Sequence, residues 1–160
     1  MNLYLIRHSE AEKISPLKKD FDRELTSEGI ELLRKAVQYW QKIINGFDLI
    51  VTSPLVRAVQ TSEIIAESFN YSKEVIKDNN LATGAVTGDL IELINTYNVE
   101  NIACIGHQPD LSNHVSNIIS TNGCTLHFPP AAICKIRFNG LAKFSKGELI
   151  YLIPPDIFKK

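Results

Sequence analysis

Three short stretches of the 160-residue chain carry the residue types that could do chemistry: Arg7-His8-Ser9-Glu10, Ser53-Pro54-Leu55-Val56-Arg57 and Gly106-His107-Gln108-Pro109. An arginine offers a planar fork of donors that matches the oxygens of a phosphoryl group. An imidazole can serve as nucleophile or proton carrier near neutral pH. Each charge-assisted hydrogen bond contributes about 1.5–3 kcal/mol, so two guanidinium groups and an imidazole could hold a dianion without a metal. No carboxylate cluster of magnesium-binding type accompanies them. The pattern points to a tetrahedral oxyanion gripped by cations, with a histidine in reach of its centre.

The three stretches can act together only if the fold gathers them. Leu3-Tyr4-Leu5-Ile6, Leu49-Ile50-Val51 and Ile102-Ala103-Cys104-Ile105 are short apolar runs suited to strands buried on both faces. Each motif follows one of these runs. Between them, Ile30, Leu33, Val37, Trp40 and Ile44 recur at helical spacing, with Thr26 placed to cap the start and Gly46 to stop the end. A second helix is expected from Pro54 with Ser53 as its N-cap, a third over 85–97, and a fourth after Pro109. The segment 74–77 reads as a short strand. Two late strands, 133–138 and 149–153, read as an antiparallel pair with turn chemistry at Asn139-Gly140.

Strands alternating with helices predict an α/β fold: a three-layer α/β/α sandwich with a mostly parallel central sheet, in a single domain over 1–160. Ligands of such sheets bind beyond the carboxyl ends of the strands. Arg7, His8, Arg57 and His107 are therefore expected to converge on one crevice.

Composition narrows the partners. Hydrophobic residues make up 44% and charged residues 22%, and 17 basic against 18 acidic side chains leave a formal net charge of -1. That balance provides no global field for nucleic acid or an anionic membrane. No apolar run approaches the roughly 20 residues that span a bilayer, and the apolar start meets Arg7 at once, unlike a secretory leader. Three cysteines, Cys104, Cys124 and Cys134, cannot all pair within one chain. A cytoplasmic location is expected.

Leu5-Ile6-Arg7-His8, then Ser53-Pro54 with Arg57-Ala58 and Gln60-Thr61, then Gly106-His107 with Pro109 together resemble the histidine phosphatase superfamily, whose fold is phosphoglycerate mutase-like. The short length and the stretch Arg23-Glu24-Leu25-Thr26 with Gly29 resemble the SixA-type phosphohistidine phosphatases. The resemblance implies that His8 attacks phosphorus and carries the phosphoryl group, while Arg7, Arg57 and His107 bind its oxygens. Arg23 is expected to touch substrate at the mouth or to pair with Asp20 or Asp22. Ser9 stands where the family most often has glycine, beside the substrate, where its side chain would narrow the pocket. The resemblance implies no cofactor or metal, a monomer, and a phosphohistidine-containing protein such as a phosphotransfer domain as partner.

Leu81-Ala82-Thr83-Gly84-Ala85, where ester-cleaving members carry an acid, holds no carboxylate. An ester leaves as an alkoxide that needs a proton, whereas a phosphorylated imidazole can leave as an already protonated ring. A phosphohistidine substrate is therefore favoured. The alternatives are a small-molecule phosphomonoesterase, with Glu10 the first candidate acid and Asp110 and Asp89 after it, or a phosphate-binding module without turnover. His114, His127 and Cys104 lack metal-ligand spacing and read as structural.

Overall fold

The computed structural model describes residues 1–158. Its strands are β1 (Asn2–Arg7), β2 (Leu49–Thr52), β3 (Ile76–Lys77), β4 (Asn101–Gly106), β5 (Ile133–Arg137) and β6 (Glu148–Ile153). Its α-helices are α1 (Ser27–Trp40), α2 (Val56–Ser68), α3 (Thr87–Tyr97) and α4 (Asp110–Ile119). The strands form one sheet in the order β3-β2-β4-β1-β5-β6. Neighbours from β3 to β1 run parallel, and β5 pairs antiparallel with both β1 and β6.

Strand periodicity explains the layers. Successive side chains of a strand point to opposite faces, so Leu3 and Leu5 enter one core while Tyr4 and Ile6 enter the other. Ile102 and Cys104 divide from Ala103 and Ile105 in the same way. Leu90 and Ile94 of α3 with Leu111, Val115 and Ile118 of α4 close the first face. Leu33, Val37 and Trp40 of α1 with Ala58 and Ile65 of α2 close the second. Because apolar side chains wait on both faces, the central strands read as unbroken hydrophobic runs.

Register sets the site. Arg7 lies opposite Gly106 across the β1–β4 pair, and Thr52 opposite Ile105 across β2–β4. His8, Ser53 and His107 thus leave the sheet side by side at the carboxyl edge of three adjacent strands.

Local expectations met tertiary constraints in three places. Trp40 ends α1, a turn carries the chain to buried Ile44, and Gly46 lies beyond with φ +157°, far from the left-handed value of a helix stop. Leu55, not Ser53, is the N-terminal cap of α2. Asn139-Gly140 does bend, with Gly140 at φ +93°. The connection nevertheless runs on to Gly147, because Ala142 exchanges two hydrogen bonds with Asn95 of α3 and Gly147 N–H donates to Ile118 O. Thr26 caps α1 as expected, its Oγ1 accepting from Gly29 N–H at 3.0 Å. Gly29 is there for a close approach: a Cβ at that position would sit 2.1 Å from Glu10 O. Among the described residues, no helix is long and apolar enough to cross a membrane.

Candidate active site

The carboxyl edge opens into a cleft of about 420 Å³ lined by Arg7, His8, Arg23, Arg57 and His107, with Ser9, Glu10 and Thr83 at its margins. All four side chains expected to converge do so. His8 Nε2 accepts a hydrogen bond from Arg57 Nε at 3.3 Å, and the His8 and His107 ring centroids are 5.0 Å apart.

His8 is held from both sides. Its backbone N–H donates to Gly106 O, and its carbonyl accepts from Ala131 N–H. In the ring, Nδ1 faces Ser9 O at 2.7 Å. A carbonyl can only accept, so Nδ1 carries the proton and Nε2 presents a lone pair to the cleft. Burial, reinforced by the charges of Arg57, Arg7 and Arg23, pushes the His8 pKa down to about 4 against the opposing effect of the Ser9 carbonyl. The ring is neutral at neutral pH.

Arg57 is 2% exposed and uses all three of its nitrogens. Nε reaches His8, Nη1 donates to Asp20 O at 2.8 Å, and Nη2 donates to Asp20 Oδ2 at 3.2 Å. Arg7 is tied down from far along the chain, Nη1 donating to Phe128 O at 2.9 Å.

His107, also 2% exposed, places Nε2 2.7 Å from Ser53 Oγ. Ser53 Oγ accepts from Leu55 N–H, leaving its own proton to donate to the ring. Nδ1 is then the protonated nitrogen. Burial first, then the charges of His8 and Arg57, brings the His107 pKa down to about 3.

Two buried donors in this cluster, Arg7 Nε and His107 Nδ1, have no partner among the described residues. Unpaired buried donors are costly, and here both belong to the same cleft as a neutral nucleophilic nitrogen and a buried guanidinium. An anion with several acceptor oxygens would satisfy them together. The other two unpaired buried atoms, Trp40 Nε1 and Tyr151 Oη, lie outside the lining.

The remaining expectations divide. Arg23 lines the cleft, but Nε and Nη2 grip Asp20 Oδ1 at 2.9 and 2.7 Å and Nη1 donates to Glu12 O at 2.6 Å. Ser9 does not narrow the pocket as expected. It is fully buried and its hydroxyl donates to Gly29 O at 2.7 Å, while its N–H goes to Thr61 Oγ1. A short side chain with a local carbonyl acceptor turns away from the cleft. Ser53, read as a helix cap, instead seats His107. Glu10 is an exposed carboxylate on the lining. Asp110 is engaged elsewhere, its Oδ2 accepting from Gly84 N–H at 2.8 Å, and exposed Asp89 lies outside the lining.

Asp20, Ser53 as the partner of His107, and Thr61 were not read as site residues from sequence. Asp20 is the carboxylate that the sequence offered as a partner for Arg23, a pair that does form, and Thr61 belongs to the Gln60-Thr61 pair of the second motif.

Comparison with known proteins agrees with this geometry. Residues 3–110, more than half of the chain, match the model of the histidine phosphatase superfamily (branch 1). An uncharacterised protein of Picosynechococcus sp. is 30% identical over 163 residues, covering 97% of each chain. A phosphohistidine phosphatase SixA homolog of Haemophilus influenzae is 26% identical over 171 residues, covering 100% of each. The solved structure of the protein histidine phosphatase SixA complexed with tungstate superposes with a TM-score of 0.85 at 18% identity, covering 98% of this chain and 99% of that one. Its likeness establishes the shared phosphoglycerate mutase-like fold. Motifs, fold and family model agree that the chain belongs to the histidine phosphatase superfamily and is a phosphatase.

Proposed function

We propose that the protein is a metal-independent phosphohistidine phosphatase that takes the phosphoryl group of a phosphotransfer-type protein onto His8 and releases it to water. The observation that carries this reading is the 2.7 Å contact of His8 Nδ1 with Ser9 O, which leaves Nε2 unprotonated toward the cleft. Nε2 attacks phosphorus in line, a P–N bond forms to His8, and the P–N bond to the substrate ring breaks. The substrate imidazole departs neutral when its other nitrogen is protonated, so no acid in the cleft has to supply a proton. Water then attacks phosphorus, the bond to His8 Nε2 breaks, and phosphate leaves.

Arg7, Arg57 and His107 bind the non-bridging oxygens through the transition state. Phosphoryl transfer has a loose, charge-spread transition state, so placed cations can provide most of the rate enhancement. The similar phosphohistidine phosphatase SixA homolog of Haemophilus influenzae supports the substrate class. The free cysteines, with Cys104 and Cys134 buried, support a reducing cytoplasmic compartment. We take the working unit to be a monomer.

Glu10 keeps one other reading in view, hydrolysis of a small phosphoester with this exposed lining carboxylate as acid. The experiment is a panel of phosphorylated phosphotransfer proteins assayed against nitrophenyl phosphate and sugar phosphates, with and without chelator. The expected result is at least about tenfold preference in kcat/KM for protein phosphohistidine, about 1.4 kcal/mol in the transition state, unchanged by chelator. Preference for an ester, lost in Glu10→Gln, would select the phosphomonoesterase. Acid-labile, alkali-stable label trapped on His8 would rule out a binding module, and absence of turnover on every substrate of the panel would select it.

A further inference from the structure

Asp20 opens the single turn of 3-10 helix at Asp20–Asp22, in the segment between the first motif and α1. Its side chain is 49% exposed, yet it is the meeting point of two guanidinium groups. Oδ1 takes Nε and Nη2 of Arg23, while Oδ2 and the backbone carbonyl take Nη2 and Nη1 of Arg57. Arg23 is anchored in turn on Glu12 O. Each carboxylate oxygen therefore serves one arginine, and the carboxylate separates two like charges that would otherwise repel. A guanidinium has five N–H groups. Arg57 commits three, two to Asp20 and one to His8, which leaves two directed elsewhere.

We propose that Asp20 is a positioning residue: it fixes the Arg57 side chain so that Nε lies on His8 Nε2 and the two uncommitted N–H groups are offered to the phosphoryl oxygens. The inference rests on the assignment of His8 as nucleophile. In the resting site, the Arg57 Nε–H caps the His8 lone pair at 3.3 Å. When a phosphoryl group arrives, one of its oxygens replaces His8 as the acceptor of this N–H, and the lone pair is released at the moment the electrophile is in place. Asp20 holds the guanidinium in position while that acceptor changes. It touches neither the reacting nitrogen nor the phosphoryl group itself.

The test compares Asp20→Asn with Asp22→Asn, a substitution in the same turn at an exposed carboxylate with no side-chain hydrogen bond among the described residues. Asp20→Asn is expected to lower kcat for nitrophenyl phosphate about tenfold or more, with KM within about threefold. The second readout is the nitrogen-15 titration of the His8 ring, followed by NMR without substrate. The groups facing that ring are Arg7 from β1, Arg57 from α2, His107 beyond β4, Arg23 before α1 and the Ser9 carbonyl. Asp20→Asn keeps the backbone carbonyl that accepts from Arg57 Nη1 but removes the Oδ2 acceptor and the charge set between the two guanidinium groups, so the titration shifts from about 4 in Asp20→Asn and stays in place in Asp22→Asn. The proposal is overturned if Asp20→Asn leaves both kcat and the titration at wild-type values, or if Asp22→Asn reproduces both changes. The titration needs no turnover, so it decides the role of Asp20 even if the phospho-His8 mechanism fails.

Discussion

His107 and His114 are a natural pair. They are 2% and 1% exposed, burial lowers the pKa of both, and each ring meets a hydroxyl, Ser53 Oγ at 2.7 Å and Thr87 Oγ1 at 3.0 Å. Their surroundings differ. Thr87 Oγ1 also accepts from Asn117 Nδ2, so His114 belongs to a closed polar cluster between α3 and α4, and neither of its nitrogens is left buried without a partner. His107 has an unpaired buried Nδ1, a second imidazole 5.0 Å away, and Arg57 among the charges that depress it. Burial and a lowered pKa are thus common to a structural and a candidate functional histidine. What separates them is an unspent donor among converging cations.

That distinction can be broken by substitution. The largest effect is expected from His8→Ala, which should remove turnover by on the order of 10⁴-fold or more while circular dichroism and thermal unfolding report an intact fold. Full activity in that variant would overturn the mechanism. Arg57→Ala should cost about two orders of magnitude in kcat, about 2.7 kcal/mol of transition-state stabilisation. A loss confined to KM would mean that Arg57 binds substrate and transition state alike.

The paired substitution sharpens the comparison directly. His107→Ala should lower kcat on the order of 10–100-fold. His114→Ala should leave kcat of the folded protein within about twofold and instead lower stability by about 1–3 kcal/mol in urea, because the buried Thr87 hydroxyl loses its ring partner. Equal losses of kcat in both variants would erase the contrast.

The smallest effect concerns pH. With His8 neutral down to about 4, kcat/KM on an acid-stable ester is expected to hold from pH 7 to about 5 on this account and to fall as Nε2 protonates. The stability effect has a definite sign. An unfolded histidine titrates near 6.5, above the folded value, so the unfolded chain binds more protons between about 6.5 and about 4. Stability from keeping His8 neutral is complete above 6.5 and is lost as pH falls through that window. Urea midpoints at pH 7 and pH 5 check it. A midpoint that rises on acidification would contradict the buried, neutral ring.

Much of this was legible because it is local. The period-two alternation of Leu3, Tyr4, Leu5 and Ile6 places side chains on two faces, and the helical stripe through Leu33, Val37 and Trp40 finds one of those cores. The motifs at strand ends then fall on one edge as soon as the strands are parallel. The roles of Ser9 and Ser53 were not legible. A serine in a turn has the same local options whether its hydroxyl meets a helix N–H, the carbonyl of Gly29 or the ring of His107, and only the neighbour brought by the fold decides among them. The antiparallel pairing of β5 with β6 and the bend at Asn139-Gly140 were legible, but the course of the connection beyond that bend was not, since it depends on Asn95 of α3.

Taken alone, the chain determined its element types, its two-sided core and the identity of the cations at one sheet edge, because those follow from backbone periodicity and side-chain chemistry within a few residues. The tertiary structure alone decided which donor meets which acceptor. Arg57 finds Asp20 across 37 positions, His107 finds Ser53 across 54, and Arg7 finds Phe128 across 121. A hydrogen bond depends on distance and direction to within a few tenths of an ångström, and that accuracy arises only when both cores have packed and the strands have locked their register.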